Sequence, residues 1–222
     1  EIVAKKVDAN LVHEAAIGKI AGEQLIKLKT LGLTDKEAEE CANYLSGYPE
    51  VIYVEPDQII EGGGLVRANI GESTDPYWGY TATHATEYAK DLARRGKKQN
   101  IIVAVIDSGI DYSHELFSGR LFKGKDIYDN DSKAQDDNGH GTHVSGTIVM
   151  CTENLNVKIM PIRVFNKSGG RDHTTSRSMI VVALDYAIDN GANVINMSFG
   201  GSSEKCHWED ETINKAIKKG IV

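Results

Sequence analysis

The chain has 222 residues, of which 41% are hydrophobic and 26% are charged, as in an ordinary globular protein. A formal net charge of -7 and only short lysine and arginine clusters argue against a nucleic-acid-binding surface. No apolar run approaches the roughly 20 residues that span a bilayer, and three widely spaced cysteines are too few for a disulfide framework or a zinc knuckle. These bounds predict one large or two small globular domains with neither a nucleic-acid nor a membrane partner.

Residues 1–61 have the pattern of a small α+β unit. Apolar and polar residues alternate over residues 24–31, which predicts a strand with one buried face. Thr34 and Glu37 have the spacing of a capping box, and the following apolar stripe, which includes Cys41, predicts a helix with Cys41 in the core. A β-rich run over residues 51–57 predicts a second strand.

Three consecutive glycines then open a polar stretch. Residues 62–74 are predicted to form a flexible linker, because consecutive glycines carry a high entropic cost of ordering. The chain is therefore divided into residues 1–61, the linker and residues 75–222.

Residues 75–222 alternate between strand and helix patterns. Strands are predicted at residues 101–106, 157–165 and 192–199, and helices at residues 141–150, 176–190 and 210–219. This alternation favours an α/β fold with a parallel sheet covered on both faces. The helix over residues 141–150 is small or apolar on every side, which predicts burial all round, and its Gly141 and Gly146 are expected to allow close packing.

Two polar residues stand where a catalytic pair would be placed. Asp107 follows the predicted strand 101–106, and active sites on parallel sheets lie at the carboxyl ends of strands. His140 begins the helix that follows a polar turn. A carboxylate that orients an imidazole provides a general base, although a nucleophile is still needed.

Three motifs resemble those of the subtilisin-like serine peptidases: VIDSGID at residues 105–111, DNGHGTHVSGT at residues 137–147 and VINMSFGG at residues 194–201. The resemblance implies that Asp107 and His140 are catalytic. It also implies that Ser198, Phe199 and Gly200, with Gly170 on the opposite wall, bind extended substrate. The family's nucleophilic serine and oxyanion-hole asparagine would lie beyond Val222, and the last two residues have the pattern of a strand that has just begun. We therefore expect an amino-terminal fragment that is inactive alone.

The resemblance also implies a domain architecture and the processing of a precursor. Residues 75–222 would form the amino-terminal part of a three-layer subtilisin-like domain, and residues 1–61 a ferredoxin-like propeptide that assists folding and then inhibits the enzyme. Self-cleavage would fall between about residues 61 and 74. In the family's mature amino-terminal segment, which residues 75–79 resemble, the tryptophan matching Trp78 packs beneath the first helix. The expected substrates are polypeptides and the expected location is extracellular.

Other polar residues near these motifs have structural interpretations. Asp137 is expected to shape the turn before His140, and His143 and His114 are expected to be structural. No cofactor is assigned. The loop that supplies a tight calcium site in bacterial subtilisins is absent between Thr147 and Val157, and other calcium sites are left open.

Two alternatives from other functional classes are left open. The chain could be a non-catalytic protein that binds peptides or inhibits a protease. It could also be a metal-dependent hydrolase in which His140, His143 and Asp107 hold the metal.

Overall fold

The structure, a computed structural model, describes residues 15–20, 24–28, 35–49, 51–62, 78–96, 100–165, 173–200 and 206–222. The chain forms two compact units. The first comprises Glu1–Ile59 together with Ser176–Ser178, and the second comprises Ile60–Thr175 and Met179–Val222. No helix in the described ranges is both long and apolar enough to cross a membrane.

The first unit contains an antiparallel sheet and a helix. Its strands are β1 (Ala15–Ile20), β2 (Gln24–Leu28) and β3 (Val51–Asp57), in the spatial order β2-β1-β3, and α1 (Asp35–Ser46) connects β2 to β3. The predicted helix and second strand are present. The first predicted strand is present over Gln24–Leu28, and its residues 29–31 lie outside the described residues. Cys41 is half-buried, and Thr34 of the predicted capping box lies outside the described residues. The buried Asp57 carboxylate accepts hydrogen bonds from the amide and hydroxyl of Ser178, at 2.8 and 2.6 Å.

The second unit follows the alternating pattern that its sequence predicts. Its elements are β4 (Ile59–Gly62, of which residues 60–62 belong to this unit), α2 (Trp78–Ala82), α3 (Ala85–Arg94), β5 (Ile101–Asp107), a short 3-10 helix (Glu115–Phe117), β6 (Lys125–Asp126), α4 (His140–Cys151), β7 (Val157–Arg163), β8 (Thr174–Ser176, of which residues 174–175 belong to this unit), α5 (Arg177–Asp189, of which residues 179–189 belong to this unit), β9 (Val194–Asn196), β10 (Phe199–Gly200) and α6 (His207–Lys218).

A parallel four-stranded sheet in the order β6-β7-β5-β9 is the centre of this unit. Strand β5 pairs with β7 from Ile101 opposite Val157 to Asp107 opposite Arg163. Alternate β5 residues point to opposite faces: Ala104 and Ile106 pack in the core that includes Ile180 and Leu184 of α5, whereas Val103 and Val105 pack in the core that includes Val149 of α4. The unit is thus a three-layer α/β structure, and the predicted fold is confirmed.

A second, smaller sheet has the order β10-β4-β8. Its antiparallel pairs place Phe199 opposite Gly62 and Gly200 opposite Glu61. Gly62, which we expected to open the flexible linker, is therefore the last residue of a strand. The predicted strand over residues 192–199 is divided into β9 and β10, and Val222 exchanges backbone hydrogen bonds with Asn193 and Ile195 beside β9.

Two expectations about burial are wrong. Helix α4 is not buried all round, because Gly141, Ser145 and Val149, one helical turn apart, form its only buried face and His143 is exposed. Trp78 is the first residue of α2 and its side chain is 57% exposed, so it does not pack beneath a helix among the described residues. Trp78, His143 and Met150 line one cavity of about 1160 Å³.

Gly141 lies where the first turn of α4 meets the end of β5. A Cβ at this position would overlap the carbonyl oxygen of Gly109 and lie 3.2 Å from Cβ of Asp107. We expect Gly141→Ala to reduce the free energy of unfolding by about 1–3 kcal/mol, since backbone atoms cannot rotate out of the way. Urea unfolding with comparison of midpoints and slopes measures this change.

Gly146→Ala is the matched control on the same helix. Of the described residues, a Cβ there would meet Leu116 alone, at an ordinary 3.5 Å, so the close packing that we expected at Gly146 does not require glycine. This substitution should be neutral or stabilise the chain by about 0.5–1 kcal/mol, because alanine favours helix. Equal unfolding midpoints for the two variants would contradict the proposed close approach.

Candidate functional site

Asp107 and His140 form a hydrogen-bonded pair at the carboxyl edge of the parallel sheet. Nδ1 of His140 lies 2.9 Å from each carboxylate oxygen of Asp107. The Asp107 side chain is 1% exposed and that of His140 is 16% exposed. A carboxylate accepts only, so Nδ1 carries the proton and Nε2 is left as the free basic atom. The pair that the sequence predicted is therefore brought together.

Backbone contacts fix both partners. The amide of Ser108 donates to Oδ1 of Asp107 at 2.7 Å, and the Ser108 hydroxyl accepts from the amide of Gly141 at 2.9 Å. The residues that follow Asp107 and His140 are thus joined directly. The side chain of Asn138 accepts from the His140 amide at 3.1 Å, which satisfies another free donor at the start of α4.

Asp136 shapes the turn before His140, a role that we expected for Asp137. One carboxylate oxygen of Asp136 accepts from the amides of Asn138 and Gly139, both at 2.9 Å. The other accepts from the amide and hydroxyl of Thr142, at 2.9 and 2.5 Å. The sequence analysis missed Asp136, although an aspartate three residues before a glycine and six before a threonine in the first turn of the helix was an available signal.

Four hydrogen bonds decide the ionisation of Asp136. Burial alone would raise the pKa of this carboxyl, but the bonds from Gly139, Thr142 and Asn138 outweigh it and lower the pKa below the ordinary 3.8. A carboxyl with a depressed folded-state pKa stabilises the fold above its unfolded-state pKa, and this stabilisation is lost as the pH falls through the folded-state value. The turn that carries His140 is therefore stable at neutral pH and weakens in acid.

Asp137 instead belongs to a cluster around Arg163. The guanidinium of Arg163, 3% exposed, pairs with Asp126 at 2.8 Å and with Asp129 and Asp137 at 3.2 Å, and it lies over the ring of Tyr128. Burial disfavours the Arg163 charge, but the carboxylates, Asp126 foremost, raise its pKa. Because Arg163 is the residue paired with Asp107 across the sheet, this cluster ties the turn to the strand end.

Two further histidines have separate positions. Nδ1 of His114 accepts from the amide of Leu116 at 3.2 Å and so caps the short 3-10 helix. His143 is exposed on α4. Among the described residues, no three histidine, cysteine or acidic side chains are grouped as a metal site would require. The alternative of a metal centre on His140, His143 and Asp107 therefore gains no ligand group from the described residues.

The predicted peptide-binding segment is close in the chain to the end of β9. Phe199 and Gly200 form β10 and pair with β4, while the Ser198 hydroxyl accepts from the side-chain amide of Asn196 at 2.9 Å. The amide of Gly62 donates to the carbonyl of His173 at 2.7 Å, so β4 is bonded on both edges. Gly170 lies outside the described residues. The sequence analysis found no signal for the strand role of residues 60–62 or for His173.

The Asp107 side chain determines which nitrogen of His140 carries the proton. In the intact chain, at a pH where imidazole is neutral, we expect the proton on Nδ1. Asp107→Ala should shift it largely to Nε2, because no carboxylate then accepts from Nδ1. Long-range proton–nitrogen NMR distinguishes the two forms. Asp137→Ala, which removes a nearby carboxylate that bonds to Arg163, should leave the Nδ1 form in place, and a wild-type proton on Nε2 would contradict the assignment.

Arg163 neutralises a buried carboxylate. Arg163→Met should reduce the free energy of unfolding by about 3–5 kcal/mol, because Asp126 would be left buried without its charge partner. Adding Asp126→Asn should recover part of that loss. Lys215→Met, which breaks the half-exposed pair with Asp185, is the control and should cost about 0.2–1 kcal/mol. Similar losses from the two single variants, measured by urea unfolding, would show that the cluster is not an internal ion pair.

The chain is similar to several serine proteinases. It is 32% identical to a thermophilic serine proteinase of Bacillus sp. (strain AK1) over 235 residues, an alignment that covers 100% of this chain and 55% of the relative. It is 35% identical over 188 residues to an extracellular serine proteinase of Thermus sp. (strain Rt41A), covering 78% of this chain and 40% of that one. The chain thus spans about half the length of the relatives that it matches.

The fold has a counterpart among solved structures. Fervidolysin from Fervidobacterium pennivorans, a keratinolytic enzyme related to subtilisin, superposes with a TM-score of 0.68 at 24% identity, over 94% of this chain and 38% of that one. This likeness shows the fold. The subtilase family model matches residues 98–222, more than half of the chain, and this segment contains Asp107, His140 and Phe199. The chain belongs to the subtilase family.

Proposed function

We infer that residues 75–222 hold the general base and the peptide-binding strand of a serine endopeptidase. The observation that carries this inference is the His140 ring, whose Nδ1 is held by the buried Asp107 carboxylate and whose Nε2 has no hydrogen-bond partner among the described residues. An imidazole held in this way can take a proton from a nucleophile. Membership of the subtilase family, and relatives named serine proteinases, support the same reaction.

In the proposed reaction, Nε2 of His140 accepts the proton of a serine hydroxyl as the serine oxygen bonds to the peptide carbonyl carbon. The imidazolium, stabilised by Asp107, then gives that proton to the leaving amine as the carbon–nitrogen bond breaks. Water hydrolyses the resulting acyl-enzyme by the same steps. The serine and the oxyanion-hole asparagine are, in this proposal, supplied by sequence outside residues 1–222, so the 222-residue chain alone is inactive.

The proposed substrates are polypeptides bound in extended form. Phe199 and Gly200 already pair antiparallel with β4, and such backbone pairing accepts any peptide in β conformation. Ser198 and Gly170 complete the proposed substrate-binding set. The relative named an extracellular serine proteinase supports a secreted enzyme.

Strand β4 supports a proposal about inhibition. Residues 60–62 lie between β10 and β8, where an extended substrate would pair, and they follow directly on residues 1–59 in the chain. We take residues 1–61 to be a ferredoxin-like propeptide that blocks its own enzyme until the chain is cut between about residues 61 and 74. Calcium, which the resemblance left open, enters no step of this proposal.

Hydrolysis of a protein substrate tests the function. The coding sequence should continue past Val222 into a Gly-Thr-Ser-Met-Ala type motif, and the complete protein should cleave casein. There, His140→Ala should lower kcat by about 10⁶-fold and Asp107→Ala by about 10⁴-fold, because His140 moves the proton and Asp107 orients it.

The 222-residue chain serves as its own control. It should hydrolyse casein no faster than its His140→Ala variant, and a difference would contradict the claim that the nucleophile lies elsewhere. A stop codon after Val222, or a continuation without the serine motif, would sink the peptidase proposal. It would favour a protein that binds peptides or inhibits proteases through residues 1–61.

A further inference from the structure

Gly62 is the last residue of β4, the central strand of the β10-β4-β8 sheet. It pairs with Phe199 on one edge and donates its amide to the His173 carbonyl on the other, at 2.7 Å. Two residues earlier, Ile60 is buried in the core against which Phe199 packs, while the intervening Glu61 is exposed. Side chains on a strand alternate between faces, so the position of Gly62 faces the same way as Ile60. A substrate in the place of β4 would present one side chain there.

Two aromatic rings close the space in front of Gly62. A Cβ built on Gly62 would overlap Cδ2 of His173 and would lie 2.9 Å from Cε1 of Phe165 and 3.0 Å from Nε2 of His173. Carbon atoms in real structures do not approach so closely. Replacement of Gly62 by any larger residue therefore requires these two rings, here called the aromatic wall, to move.

The wall has little freedom to move. The rings of His173 and Phe165 stack with centroids 4.4 Å apart and planes 27° apart, and Phe165 meets the ring of Phe199 edge-on at 5.6 Å. Phe165 is 1% exposed and lies in the core next to Ile162, Val164 and Leu184. Phe165, whose Cε1 lies 2.9 Å from the Cβ built on Gly62, can retreat only by displacing core residues, which close-packed interiors resist.

Within the described part of the chain, the His173 ring is held by packing and not by side-chain hydrogen bonds. Its two nitrogens are buried and have no hydrogen-bond partner among the described residues. Burial also lowers the pKa of His173, so the neutral ring is favoured. The imidazole therefore contributes a flat packing surface against Gly62. Its neighbour Phe165 is next in the chain to Val164, whose amide donates to the carbonyl of Asp107, so the wall stands beside the candidate catalytic pair.

We propose that Phe165 and His173 make the substrate-binding site along β10 selective for glycine at the substrate residue that pairs with Phe199. The proposal rests on the proposed function, in that it assigns β4 to the place of substrate. The favoured polypeptides carry an apolar residue, then any residue, then glycine, as Ile60, Glu61 and Gly62 do. Phe165 and His173 are specificity-determining residues and take no part in proton transfer.

Hydrogen exchange in the 222-residue chain tests the wall without any catalysis. The amide of residue 62 should be protected, because it donates to His173. In Gly62→Ala, protection should fall by about 10- to 100-fold, the range that overpacking of a buried site produces. Glu61→Ala, at the exposed neighbouring position, is the matched control and should retain protection.

Removal of the ring provides the decisive variant. Adding His173→Ala to Gly62→Ala should restore most of the protection at residue 62, since the Phe165 ring can tilt into the space that the imidazole leaves. Full protection in Gly62→Ala would contradict the claim that the two rings exclude a side chain at residue 62. A loss of protection in Gly62→Ala that the second substitution does not recover would contradict it as well.

Peptide hydrolysis by the complete enzyme separates this inference from the proposed function. Peptides containing Ile-Glu-Gly should be cleaved with a kcat/KM about 10- to 100-fold above those containing Ile-Glu-Ala, and His173→Ala should shrink that ratio. Equal cleavage of both peptides would overturn the selectivity and leave the peptidase intact. Rescued protection in the exchange experiment, without hydrolysis of either peptide, would support steric exclusion at residue 62 and contradict the proposed peptidase function.

Discussion

The close approach of helix α4 to the end of strand β5 is the constraint on which the site depends. The hydrogen bonds between His140 and Asp107, at 2.9 Å, form only if the first turn of α4 lies against the turn that follows β5. Gly141 permits that approach because its missing side chain leaves room for the Gly109 carbonyl. Ser108 then joins the two segments through the Gly141 amide. Backbone packing at one glycine thus sets the geometry of a side-chain pair.

Negative charge accumulates at this edge of the sheet, and the fold assigns each carboxylate a different partner. Asp136 is satisfied by backbone amides and a hydroxyl, which lower its pKa. Asp126, Asp129 and Asp137 share the guanidinium of Arg163. Asp107 is left to bind His140. Because like charges destabilise one another in a partly buried site, this division allows a carboxylate-rich loop to hold an imidazole without competing for it.

In the proposed function, the small β10-β4-β8 sheet serves both substrate recognition and inhibition. Its hydrogen bonds are made by backbone atoms, so they would hold the chain's own residues 60–62 and an extended substrate equally well. Side chains alone can then distinguish one peptide from another. Phe165 and His173 stand where that distinction would be made, and both lie within the same unit as the Asp107–His140 pair.

The sequence by itself determined the α/β class, the strand–helix order and the identity of Asp107 and His140, because these depend on local periodicity and on a long, specific motif. It did not reveal that Asp136 rather than Asp137 shapes the turn, because two adjacent aspartates have the same propensity and only the direction of each side chain separates them. It predicted more burial of α4 than the structure has. An apolar sequence indicates that a helix can be buried, but it does not show which of its faces other elements cover. Only the tertiary structure brought residue 62 to residues 165, 173 and 199, because pairing between strands so far apart in the chain leaves no local pattern.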